Sequence, residues 1–117
     1  MNFQTPDSII HDLVEIRREA AKGVEALFAA EKELAQFELD YDKAYSLALL
    51  GAKGTVVDRQ ALALLESAEA RERRDVARAV VVRVKTKLRL LSEQQMNVQT
   101  QARMVELTYK TAGIGER

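Results

Sequence analysis

Few side chains in this 117-residue chain are spaced for covalent chemistry. His11 is the only histidine, and there is no cysteine. Thiolate metal sites, a cysteine nucleophile and a disulfide framework are therefore excluded. No His-x-x-x-His or Glu-x-x-His spacing surrounds His11, so it reads as a surface or subunit-contact residue. Glu31 and Glu33, like Asp40 and Asp42, are carboxylates two residues apart. On a helix that spacing turns the pair to different faces, which argues against joint acid–base work or metal binding. Gly51-Ala52-Lys53-Gly54 lacks the spacing of a phosphate loop and any preceding strand. No catalytic residue, metal or cofactor is expected, and the chain reads as non-enzymatic.

Binding chemistry is better represented. Arg71, Arg74, Arg78, Lys85 and Arg89 follow one another at spacings of 3, 4, 7 and 4. On a helix turning ~100° per residue they share an arc of about 60°. Arg103 and Lys110 extend the line if the helix is continuous. Between 71 and 89 there are eight bases and two acids. Such a row can track a phosphate backbone and gain affinity by counterion release, and guanidinium groups suit phosphate geometry. A competing role is pairing with acidic residues of the first helix, Glu15, Glu19, Glu25, Glu31 and Glu38 among them, in a neighbouring subunit. Tyr45, with Lys43 and Lys53 close in sequence, is a candidate for stacking on single-stranded bases. Tyr41 lies on an apolar seam and reads as core.

A long helix must carry these groups. From Ile9 to Gly51 a small or apolar residue recurs at alternating steps of 4 and 3: Ile9, Leu13, Ile16, Ala20, Gly23, Leu27, Ala30, Leu34, Phe37, Tyr41, Ala44, Ala48, Gly51. That is a heptad seam, the mark of a helix burying one stripe along another. Leu13, Ile16, Ala20, Gly23, Leu27, Leu34 and Phe37 are assigned to a homo-oligomer seam, with Gly23 admitting a partner backbone. Ile10, Val14, Ala21, Val24, Phe28, Ala35, Tyr45 and Leu49 widen the stripe, so the helix wants more than one neighbour.

Thr5 before Pro6 is a good helix start, and Asp7 suits the positive end of the dipole. The first helix is expected over about 6–50. Gly51-Ala52-Lys53-Gly54 is the one strong turn signal, with Gly51 as a left-handed cap. Thr55-Val56-Val57-Asp58 has capping-box spacing for a second helix over about 56–112. The second helix has its own seam at Ala63, Ala70, Ala77, Val84, Leu91, Val98 and Val105, flanked by Val81, Leu88, Ala102 and Tyr109. Ser92 and Gln95 also have capping spacing, which allows a break near 92. Residues 113–117 read as a flexible tail. The fold expected is a single all-α domain over 1–117: a long, antiparallel, coiled-coil-like helical hairpin, packed into a homo-oligomer.

Composition agrees: 47% apolar and 31% charged residues with one proline and five glycines is a long-helix mixture rather than a disordered one. The formal net charge is zero, yet residues 1–50 hold ten acids and five bases, and residues 51–117 hold eight acids and thirteen bases. The halves can pair with each other, or the basic half can face an anionic partner. Met1–Asp7 has neither a basic region nor an apolar run, and no stretch approaches a membrane span. A cytoplasmic protein is expected.

Phe37-Glu38-Leu39-Asp40-Tyr41-Asp42-Lys43-Ala44-Tyr45, the Gly51-x-x-Gly54 turn, and Val57-Asp58-Arg59-Gln60-Ala61 leading into an Ala- and Arg-rich helix resemble a known pattern. They are similar to small phage-encoded helical proteins related to the UvsY-type recombination mediators, over roughly residues 30–92. The resemblance implies an oligomer that binds single-stranded DNA and assists a RecA-like recombinase, in the host cytoplasm. Here the aromatics are separated, and Glu38, Asp40 and Asp42 dominate before the turn. That acidity moves the expected DNA contact to the second helix. The competing function class is a coiled-coil adaptor, assembly factor or inhibitor that binds protein and no nucleic acid.

Overall fold

In a computed structural model, which describes residues 5–115 and the side chains of 5–112, the chain is an all-α helical hairpin. Its elements are α1 (Pro6–Gly51), α2 (Val56–Glu66) and α3 (Ala68–Gly115). Helix α1 starts as expected: the Ser8 amide donates to Thr5 Oγ1 at 3.1 Å, and the Thr5 amide donates to Ser8 Oγ at 3.0 Å. Thr55 caps α2, accepting from the Asp58 amide at 3.2 Å. Each cap satisfies an amide that has no partner inside its helix.

The chain divides into two compact units, one of Met1–Glu25 with Thr86–Arg117, the other of Ala26–Lys85. No linker separates them, because the divisions fall within α1 and α3.

In the first unit, the start of α1 lies antiparallel to the end of α3. Ile16 and Asp12 line one groove with Asn97 and Val98, and Ile9 and Leu13 line another with Val105 and Tyr109. Ile9 and Ile16 are buried. Gly23 is covered from within the chain, since a Cβ there would lie 2.5 Å from Leu88 Cδ2. The close approach expected of a partner's backbone is thus made by a leucine of α3. In the second unit, Ala30, Ala63, Ala77 and Val81 are buried. Leu34, Phe37, Tyr41, Ala44 and Ala48 are half-buried along the same seam. The residues assigned to an oligomer seam therefore line the contact between α1 and α3 of one chain. Most flanking residues do not share that cover: Ile10, Val14, Ala21 and Val24 are exposed in the first unit, Phe28 and Ala35 in the second, whereas Tyr45 and Leu49 are half-buried. Tyr109, expected beside the α3 seam, is also exposed.

Three boundaries differ from expectation. The helix runs unbroken through Ser92, and the interruption falls instead at Ser67, between α2 and α3. Ser67 is 1% exposed, and its hydroxyl donates to the Ala63 carbonyl at 2.6 Å. Back-bonding of this kind competes with the helical ladder. The ladder resumes at once, with the Arg71 amide donating to Ser67 O at 3.0 Å. Gly51 closes α1 as a helical residue, and the left-handed position is Gly54, with φ 117°. Only glycine adopts that conformation without strain. The helix also extends through Gly115, over most of the expected tail; residues 116 and 117 lie outside the described ones.

Candidate nucleic-acid interface

Helix α3 supplies the basic row, and its heptad register decides what each cation meets. The α3 seam residues Ala77, Val81, Val84 and Leu88 are buried or half-buried. The row lies along one edge of that seam, where long side chains reach over to the facing helix. Arg78 Nη2 is 3.7 Å from Glu38 Oε1, and Lys85 Nζ is 3.9 Å from Glu31 Oε1. Both pairs lie within the second unit. The competing role anticipated for the row, pairing with first-helix acids, thus occurs inside one chain. Arg78 and Lys85 nonetheless keep 54% and 60% of their side chains exposed. Exposed pairs at such distances contribute only about 0–1 kcal/mol each.

Arg74 is engaged differently. Its guanidinium carbon sits 4.4 Å from the centre of the Tyr41 ring, and its Nη2 donates to Asp75 Oδ1 at 3.0 Å. The side chain is only 20% exposed. A stacked, paired arginine is a packing element as well as a charge. Tyr45 is half-buried beside it, with its ring centre 6.2 Å from that of Tyr41. The structure therefore brings Arg74, Tyr41 and Tyr45 together from two helices. Arg71, one turn before Arg74, has no carboxylate within ion-pair distance among the described residues, and neither has the exposed Lys53 in the turn.

Arg89 belongs to the first unit, 70% exposed and 4.0 Å from Glu93 on its own helix. Lys110 pairs likewise with Glu106 at 3.0 Å. Each unit is formally neutral: the first holds eight acids and eight bases, the second ten of each. Folding thus joins the acidic and basic halves of the chain into units without net charge.

The groups considered for catalysis stay apart. His11 is exposed. Glu31 faces Lys85, while Glu33 lines a groove with Phe37 and Val80. Asp40 accepts from Gln36 Nε2 at 2.9 Å. Among the described residues no group of three or more histidines and carboxylates is placed to hold a metal ion. No described helix is long and apolar enough to cross a membrane.

Two features were missed in the sequence. Tyr41 stands ten residues before Gly51 and Arg74 twenty after Gly54, so pairing the two seams outward from the turn does not bring them together. Arg59 donates from Nη2 to the Leu49 carbonyl at 3.3 Å. It thereby joins the Ala52 amide, 3.4 Å away, on one of the last carbonyls of α1, a contact with no local signal. No protein-family model, curated protein or solved structure matches this chain.

Proposed function

We propose that this protein is a non-enzymatic, self-associating helical hairpin that binds single-stranded DNA as a recombination mediator or accessory of the UvsY type. One observation carries the reading: in the second unit Arg74 of the α3 row stacks on Tyr41 of the α1 tyrosine pair, and Arg78 and Lys85 of the same row are exposed. Arg71, Arg78 and Lys85 would take phosphates, exchanging weak contacts with Glu38 and Glu31 for charge-assisted bonds to the strand. Tyr45, near Arg74, would offer a ring to a base. Arg89 and Lys53 would add charge. A RecA-like recombinase as partner, phage origin and action in the host cytoplasm come from the resemblance alone. Self-association is supported by the large apolar side chains left uncovered on α1.

A second reading is favoured by the neutrality of each unit and by the reach of Arg78 and Lys85 to α1. In that reading the row serves the hairpin, and the protein is an adaptor, assembly factor or inhibitor that binds another protein.

The deciding experiment is a fluorescence-anisotropy titration of labelled single-stranded and duplex DNA at low and moderate salt. Salt-sensitive binding that favours the single strand is expected. It should be lost in Arg71→Glu/Arg78→Glu/Lys85→Glu, a variant that spares the packed Arg74. No binding by the unaltered protein at low salt would leave the adaptor reading standing.

A further inference from the structure

Helix α2 is amphipathic with its larger apolar side chains facing out. Ala63 and Ser67, the small residues, face inward and are fully covered. Val57, Ala61, Leu64 and Leu65 recur at i, i+4, i+7 and i+8, the spacing of one helix face. All four are exposed, Val57 and Leu65 at 73% each. An i, i+4, i+7 row of anchors is what a helix presents when it docks into an apolar groove.

The second unit also holds such a groove. Phe37 of α1 with Val76, Ala77 and Val80 of α3 line an open concavity of about 350 Å³, rimmed by Glu33, Glu72 and Arg73. The chain's own α2 cannot fill it. Helix α2 passes into α3 through the single residue Ser67, with its inward face already used.

We propose that α2 docks in this groove on a second copy of the same chain. The proposal rests on the reading above that the protein self-associates, and it names the surfaces that meet. Area favours a second copy as occupant. The chain exposes 9255 Å² at a mass of 13.1 kDa, where a folded monomer of that mass exposes about 6,400 Å². The excess of about 2,900 Å² exceeds the roughly 800 Å² per partner that a standard interface buries, so there is surface enough for a second copy to cover. Every copy carries both the stripe and the groove, so an association that presents one to the other covers both.

The test is light scattering of the full chain over a range of concentrations, with circular dichroism to confirm helicity. The unaltered protein is expected to scatter as an oligomer. Leu65→Glu and Val57→Glu on the stripe, and Val80→Glu in the groove, are each expected to lower the mass toward 13.1 kDa while remaining helical. The chain has no cysteine, so Leu65→Cys and Val76→Cys proteins can be mixed and joined with a short bis-maleimide. A cross-link between residues 65 and 76 of different chains is expected. An oligomer whose mass ignores Leu65→Glu and Val57→Glu, with no such cross-link, would overturn the α2 docking and leave self-association intact. An unaltered protein that stays at 13.1 kDa at every concentration would overturn both, and would make another protein the occupant of the groove.

Discussion

Leu88 of α3 occupies the space that a side chain at Gly23 of α1 would need: a Cβ on Gly23 would stand 2.5 Å from Leu88 Cδ2 and 3.2 Å from Cγ. The glycine is a hole and the leucine its knob. Opposing effects follow for Gly23→Ala. The alanine gains ~1 kcal/mol in helix propensity, while overpacking costs about 1–3 kcal/mol. Net destabilisation of about 1 kcal/mol is expected in urea melts followed by circular dichroism. In a Leu88→Ala background the clash is gone, and the same substitution should instead stabilise by about 1 kcal/mol. An unchanged sign between backgrounds would mean that Leu88 does not fill the site.

The two turn glycines should respond differently. Gly54 has φ 117°, whereas Gly51 is helical with open space where a Cβ would go. Gly54→Ala should cost about 1 kcal/mol or more through left-handed strain. Gly51→Ala should be neutral or stabilise by up to about 1 kcal/mol. Thermal melts of the two single variants decide it.

Arg74 should matter to stability in a way that its neighbours in the row do not. Its ring contact with Tyr41 and its bond to Asp75 are partly desolvated. Arg74→Ala is expected to cost about 1 kcal/mol, with a coupling of about 0.5–1 kcal/mol to Tyr41→Leu in a double-mutant cycle. Arg78→Ala and Lys85→Ala, whose pairs are exposed, should stay within about 0.5 kcal/mol of the parent.

Removing the acids that face the row should strengthen binding to DNA. Glu31→Gln/Glu38→Gln releases Lys85 and Arg78 and, by removing two negative charges, raises the net charge of the second unit by two. Affinity for a labelled single strand at low salt should rise several-fold. The slope of log K against log salt should steepen by up to about 1.4, at ~0.7 per phosphate neutralised. If neither parent nor variant binds, the row belongs to the hairpin alone.

Much of this was legible from periodicity. The seam from Ile9 to Ala48, its counterpart from Ala63 to Val105, and the Gly51–Gly54 turn were enough to specify two antiparallel helices, because burial of one stripe per helix is a local rule of spacing. The caps at Thr5 and Thr55 were equally local, each a hydroxyl three residues before an amide in need of a partner.

Tertiary structure decided what spacing cannot carry. Which neighbour fills a seam depends on the other helix, so Gly23 received Leu88 of its own chain rather than a second copy. A cation's worth depends on what stands opposite: Arg74 found a tyrosine ring, Arg78 and Lys85 found α1 carboxylates, and Arg71 found none. The interruption at Ser67 instead of Ser92 has the same origin. Both serines can disturb a helix, but only Ser67 is buried, with its hydroxyl held to the Ala63 carbonyl, whereas Ser92 points to water and leaves the ladder intact. The residues and their spacing determined the helices, the turn and the basic row; the packing of α1 on α3 determined which side chains are spent inside the chain and which are left for a partner.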